Sequence, residues 1–245
     1  CSLSTQMCQI ASKALFYGNQ RPRRATPSAN AARRTAAQNR FAILLDCSAG
    51  RCGIMLDKRM QQGDSVLKKN VLIISASFRR QSNSAALADA FRRGAESAGH
   101  STELVSLSSH TIAFCRGCLA CQSLGRCVID DDANAIADKV KNADVVVFAT
   151  PIYYYEMSGQ LKTLLDRCNP IYAGDYSFRD IYFLSTAADD APDADARAIQ
   201  GLQGWICCFD KCRLAGTVFA GGVNDPGDIA GHPALKTAFD LGAAI

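Results

Sequence analysis

Four cysteines fall within thirteen residues: Cys115, Cys118, Cys121 and Cys127, spaced C-x2-C-x2-C-x5-C. Thiols this close together can share a metal site or exchange electrons. Structural zinc sites usually separate two C-x2-C pairs by a longer span, so the compact spacing suits a cubane [4Fe-4S] cluster better. Arg116 and Arg126 would favour thiolates in any of three cases: cluster ligands, redox-active thiols, or cysteines without a role. The sequence leaves all three open. Cys168, Cys207, Cys208 and Cys212 fall in helical patterns instead and read as core thiols.

A second group of residues has phosphate chemistry. The segment Ser75-Ala76-Ser77-Phe78-Arg79-Arg80-Gln81-Ser82-Asn83-Ser84 is rich in hydroxyls and carries no acid. Backbone N–H groups at a helix start, the positive end of its dipole and the hydroxyls of Ser77, Ser82 and Ser84 could together hold a phosphate monoester dianion. Asn83 can shape the turn and donate as well. Neither Gly-x-Gly-x-x-Gly nor Gly-x-x-x-x-Gly-Lys-Ser is present in the loop, which weakens dinucleotide binding and nucleotide triphosphate hydrolysis and favours a mononucleotide. Taken alone, the loop is explained equally well by Ser82 or Ser84 capping a helix beside solvated arginines.

The elements that must position these residues alternate. Val71-Leu72-Ile73-Ile74 is a short continuous apolar run, as expected of a strand covered on both faces. Ser82-Asn83-Ser84 offers helix-cap chemistry, and Leu87, Phe91 and Ala95 continue a helix until Gly99. Thr102 to Leu107 reads as the second strand, followed by the long cysteine-rich loop. Asp130-Asp131-Asp132 then opens a helix with Ala133, Ile136, Ala137 and Val140 on one face, its acids suiting the helix dipole. Val145 to Ala149 is the clearest buried strand, and Pro151 is expected to end it. A helix follows from Ser158-Gly159 with Leu161, Leu164, Leu165 and Cys168 as its buried stripe. A fourth strand spans Asp180 to Ser185, a longer helix Asp193 to Cys212, and a fifth strand Thr217 to Ala220. Five strands separated by helices imply a parallel sheet with right-handed crossovers and a ligand site beyond the strands' carboxyl ends.

Bulk composition narrows the function classes. The chain has 245 residues, 48% of them hydrophobic, enough for a sizeable core. No apolar run is long enough to span a membrane. Residues 1–66 carry ten Lys/Arg against three Asp/Glu, which leaves 17 against 20 in the rest. A body so close to neutral argues against nucleic-acid binding. Twelve cysteines without a recognisable signal peptide suggest a reducing, cytoplasmic setting. Residues 1–66 lack any sustained period and are expected to be a largely unstructured extension. It could be a disordered basic tail, a transit peptide, or upstream sequence translated in error with Met55 or Met60 as the start; the last is favoured, and Cys47 and Cys52 receive no role. Residues 67–245 are then the folded domain.

The segment Thr150-Pro151-Ile152-Tyr153-Tyr154-Tyr155-Glu156-Met157-Ser158-Gly159-Gln160-Leu161-Lys162, with Leu165-Asp166-Arg167 after it, resembles a signature of NADPH-dependent FMN reductase-like flavoproteins. The Ser-x-Ser-x4-Ser-Asn-Ser loop resembles the family's phosphate loop, Ser185-Thr186-Ala187-Ala188 takes the place of its third loop, and the likeness extends over residues 69 to 245. The cysteine spacing also resembles the iron-sulfur flavoprotein branch, although cluster-free relatives keep cysteines in this loop too. The resemblance implies a flavodoxin-like three-layer α/β fold with a five-stranded parallel sheet. It implies FMN as cofactor, NAD(P)H as donor, a small-molecule acceptor such as a flavin or quinone, and a homodimer. Ser77, Ser82, Asn83 and Ser84 would hold phosphate, Pro151, Ile152, Tyr153 and Tyr154 would line the flavin ring, and Thr186 and Ala187 would close the other side. Ser75, Arg79, Met157, Ser158 and Gly159 complete the implied cofactor-binding set. Tyr155 reads as a packing aromatic, and no catalytic acid or base is assigned. Two rivals to the reductase remain: an electron carrier, with or without a [4Fe-4S] cluster, and a flavin-free regulator on the same fold.

Overall fold

The computed structural model describes residues 67–172 and 174–245. The expectations for residues 1–66, including Met55, Met60, Cys47 and Cys52, lie outside the described residues. Five parallel strands form the sheet: β1 (Asn70–Ser75), β2 (Ser101–Ser106), β3 (Val145–Tyr153), β5 (Asp180–Thr186) and β6 (Arg213–Ala220). They lie in the order β2-β1-β3-β5-β6. A sixth strand, the two-residue β4 (Glu156–Met157), folds back antiparallel on the end of β3.

The apolar runs become strands because both faces of the sheet are covered. Leu72, Ile74, Val146, Phe148, Ile181 and Phe183 pack against α3 (Ala133–Asn142), α4 (Gly159–Arg167) and α6 (Ala196–Ile206). Val71, Ile73, Val145, Val147, Tyr182 and Leu184 face α1 (Asn83–Ser97) and α7 (Pro233–Ala243) on the other side. Two further helices, α2 (Cys121–Leu124) and α5 (Asn169–Tyr172), are single turns. This is the α/β, flavodoxin-like arrangement expected.

Three boundaries differ from expectation, each for a local reason. β3 does not stop before Pro151 but runs to Tyr153. Beyond Ala149 it pairs with β5 and no longer with β1, so a proline without an N–H falls where the ladder has an open edge. The helix expected over 193–212 is limited to Ala196–Ile206, and β6 begins at Arg213, earlier than Thr217, because a turn through Phe209 and Asp210 separates them. Helix α7 was not anticipated; His232 caps it, its ring nitrogen accepting from the Ala234 N–H.

Candidate flavin site

The cleft is built where β1, β3 and β5 end. Ser82 caps α1, its hydroxyl accepting from the Ala85 N–H and lying 3.0 Å from Ser84 Oγ. The first N–H groups of an α-helix have no backbone acceptor within the helix, and those of α1 follow directly on this loop. Ser77 Oγ accepts from the Arg79 N–H at 3.3 Å, and the Arg79 guanidinium donates to the Asn224 carbonyl at 2.7 Å. Asn83 is committed to the same distant loop: its amide nitrogen donates to the Asp225 carbonyl, and its oxygen accepts from the N–H groups of Gly227 and Ile229. Its role in this structure is therefore to fasten the last loop beside the first.

The second wall is a hairpin. Thr150, fully buried, accepts from the Ser158 N–H and donates to the Pro151 carbonyl, which closes the base of the β3–β4 turn. Ser158 caps α4 through the Leu161 N–H. Tyr154 and Tyr155 form the turn with φ of 51° and 65°, a left-handed pair that glycine or asparagine ordinarily supplies. Tyr155 is held outside the cleft, its hydroxyl donating to Asp189 Oδ2 at 3.1 Å with Arg197 over its ring. The residue is 49% exposed, so it is held by this surface contact and not by burial in the core. In the third loop Ser185 donates to the buried Asp195 carboxylate at 2.6 Å, and Ala187 is tied by its backbone to Ala220 and Val223.

These segments enclose a cavity of about 230 Å³ lined by Ser77, Arg79, Ser82, Asn83, Pro151, Ile152, Tyr153, Thr186, Ala188, Val223, Asn224 and Pro226. Eight of the residues singled out in the sequence are thus brought together. Ser84, Met157 and Ser158 are buried and do not line it, nor does Ala187, whose neighbour Ala188 does. Ser75 and Gly159 border adjoining cavities, and Tyr154 stands 98% exposed at the hairpin tip. Sequence reasoning missed Val223, Asn224 and Pro226. The signal was present, because Asn224-Asp225-Pro226-Gly227 is a turn at the carboxyl end of the last strand, where ligands of such sheets bind.

The cysteine loop is anchored by one buried ion pair. Arg167, its side chain wholly buried, donates to both oxygens of Asp131 at 2.7 and 2.8 Å and to the carbonyls of Ala113 and Ile129. Burial opposes ionisation of Asp131, but hydrogen bonds from Arg167 and from the N–H groups of Ala113 and Ala133 outweigh it and hold the carboxyl below its usual range. Both ends of the loop are thereby fixed. Between them Cys115 and Cys118 are exposed, Cys127 is half-buried, and Cys121 is buried with its sulfur accepting from the Asn169 amide. Among the described residues no three Cys, His, Asp or Glu side chains are gathered as a metal site, so the four thiols as placed do not fit a shared cluster. Of the expected core thiols only Cys168 is fully buried, and burial pushes its thiol up to about 12. Cys207 is exposed, which corrects its reading as a core residue; Cys208 and Cys212 are half-buried.

The family model described as NADPH-dependent FMN reductase matches residues 69–202. The chain belongs to that family. An iron-sulfur flavoprotein of Archaeoglobus fulgidus is 36% identical over 97 residues, covering 40% of this chain and 44% of the relative. An iron-sulfur flavoprotein of Methanosarcina thermophila is 27% identical over 162 residues, covering 66% of this chain and 82% of the relative. The chain spans about half the length of the first curated relatives it matches. Among solved structures, an NAD(P)H:quinone oxidoreductase from Methanothermobacter marburgensis superposes with a TM-score of 0.56 at 20% identity, covering 72% of this chain and 96% of that one. That likeness shows the fold.

Proposed function

We propose that this chain is an FMN-dependent oxidoreductase that draws electrons from NADH or NADPH and passes them to a small acceptor. The observation that carries the reading is the convergence of the hydroxyl-rich loop, the proline-tyrosine segment and the third loop on one cleft at the carboxyl ends of three strands. The donor set fits the cofactor. The hydroxyls of Ser77 and Ser82 and the first N–H groups of α1 suit a phosphate dianion, with Arg79 beside them. Pro151, Ile152 and Tyr153 give an apolar, aromatic wall for a flat ring, and Thr186 and Ala188 stand across from it. When bound, FMN supplies the hydride chemistry, while the protein binds, orients and shields it. Tyr154, which the family resemblance sets against the ring, stands outside the cleft of a single chain. A second copy of the chain, as in the homodimer expected, would give it a surface to meet.

No helix of the described residues is long and apolar enough to cross a membrane. A cytoplasmic setting remains part of this proposal. The rival electron carrier draws support from the cysteine spacing and from relatives named iron-sulfur flavoproteins. It requires Cys115, Cys118, Cys121 and Cys127 to be drawn together from their present positions. Anaerobic stopped-flow mixing with NADPH, and separately NADH, distinguishes the two. The reductase reading expects rapid bleaching of the oxidised-flavin band by at least one nucleotide. Flavin that responds to neither nucleotide, in protein with iron and acid-labile sulfide near a cubane's four of each, would establish the carrier in its place.

A further inference from the structure

The β3–β4 turn is restrained by residues that lie outside the cleft, and the role assigned to them here rests on the flavin reading above. Tyr154 and Tyr155 hold the turn with φ of 51° and 65°. Left-handed backbone at residues other than glycine persists only where its surroundings over-determine it. At the base of the hairpin the Ser158 N–H donates to Thr150, and β4 itself is only two residues long. The restraint at the far end is Tyr155. Its hydroxyl donates to Asp189 Oδ2 at 3.1 Å, and the guanidinium of Arg197, on α6, stands 5.6 Å from the centre of its ring. Glu156 and Met157 come close to the same helix, since a Cβ on Gly201 would stand 3.5 Å from Glu156 Oε2 and from Met157 Cε. Asp189 is itself fixed: its Oδ1 accepts from the Ala191 N–H, and its carbonyl accepts from the Gly222 N–H.

Where these contacts fall along the chain gives them a consequence for the cleft. Tyr155 follows Tyr153 by two residues and Asp189 follows Ala188 by one, and both Tyr153 and Ala188 line the cofactor cleft. The Tyr155–Asp189 hydrogen bond therefore ties the second loop to the third just outside the cleft. The third is tied in turn to the last, because the Val223 N–H donates to the Ala187 carbonyl. A flat ring gains from two walls only when both stay at contact distance, since a gap of roughly 0.5–1 Å already forfeits a quarter to a half of the dispersion energy. We infer that Tyr155 and Asp189, steadied by Arg197, are positioning residues that set the width of the slot for the flavin ring. They act on the ring and not on the phosphate, whose binding groups belong to the first loop and the start of α1.

That division gives the test. FMN and riboflavin are each titrated, by quenching of flavin fluorescence, into the flavin-free full chain and into Tyr155→Phe, Asp189→Asn, Asp189→Ala and the Tyr155→Phe/Asp189→Ala double variant. The visible band of the bound flavin is recorded at saturation. Tyr155→Phe and Asp189→Ala should each weaken both flavins about five-fold, leaving the preference for FMN over riboflavin unchanged. Asp189→Asn keeps an acceptor oxygen and should bind near-normally, and the double variant should be no weaker than either single one. The shoulders of the bound flavin's visible band should blur in the weakened variants, a change that a loss of stability alone does not produce in flavin that is still bound. Unchanged affinity and band shape in Tyr155→Phe and Asp189→Ala, effects that add in the double variant, or a loss confined to FMN would overturn the assignment while leaving the flavin reading intact. An unmodified chain that binds neither flavin would refute that reading and this assignment with it.

Discussion

Arg167 and Asp131 show how much one residue pair can fix. A guanidinium with no exposure, donating to a carboxylate and two carbonyls, leaves large unpaired charges if either partner is removed. Arg167→Met should therefore destabilise the domain by roughly 3–5 kcal/mol, and Arg167→Met combined with Asp131→Leu should recover part of that loss, as measured by urea denaturation. The sign of the pH dependence follows from the depressed Asp131 pKa. Its contribution is complete above the unfolded value of about 3.9 and is lost as pH falls through the lower folded value. Urea midpoints of the unmodified chain should fall through this acid window more steeply than those of Asp131→Asn. The sequence showed three aspartates before a helix and suggested a dipole effect; the partner 36 residues away was hidden because nothing local in Arg167 announces burial. Thiol chemistry is graded by the same physics. Iodoacetamide at mildly alkaline pH should label Cys115 and Cys118 while sparing Cys168, whose thiolate is suppressed by burial. Comparable labelling of Cys168, read by peptide mass spectrometry, would contradict the packing described.

Two elements carry strain or closeness that can be tested directly. Helices α1 and α7 cross at Gly94 and Gly242: a Cβ on Gly94 would lie 2.0 Å from the Phe239 carbonyl oxygen, and one on Gly242 2.2 Å from that of Phe91. Alanine ordinarily favours a helix over glycine by up to about 1 kcal/mol, but backbone cannot yield as a side-chain tip can. Gly94→Ala should lower thermal stability, and an increase would show that the two helices do not approach so closely. The β3–β4 turn behaves oppositely. Tyr154 is exposed and left-handed, so Tyr154→Asn should stabilise the domain by about 1 kcal/mol with no packing lost. Most elements were legible because strands covered on both faces leave unbroken apolar runs and α1 carries its own cap. The extent of β3 was not, because Pro151 reads as a stop unless it is known that β1 has already ended beside it. Helix α7 was also missed: its buried positions include Ala234, Ala238 and Gly242, small residues that make a close helix contact but a faint hydrophobic stripe.

At the scale of the molecule, strand order does what no single motif does. Placing β1 between β2 and β3 brings two loops separated by seventy residues of chain into one cleft, and β5 adds the third. Sequence patterns pointed to loops that border this cleft but not to which side chains turn inward, since Ser84, Met157 and Ser158 are buried away from it while Val223, Asn224 and Pro226 line it. The central claim is that the first loop holds the phosphate of a flavin mononucleotide. It is tested most directly by titrating the flavin-free full chain with FMN and with riboflavin, following quenching of flavin fluorescence, and repeating both with Ser82→Asp. Aspartate caps a helix as well as serine does, so the fold is retained while the anion is repelled. The account predicts saturable FMN binding, riboflavin weaker on the order of a hundredfold, and a variant that loses the preference for FMN. Riboflavin bound as tightly as FMN, or a preference that survives Ser82→Asp, would contradict it.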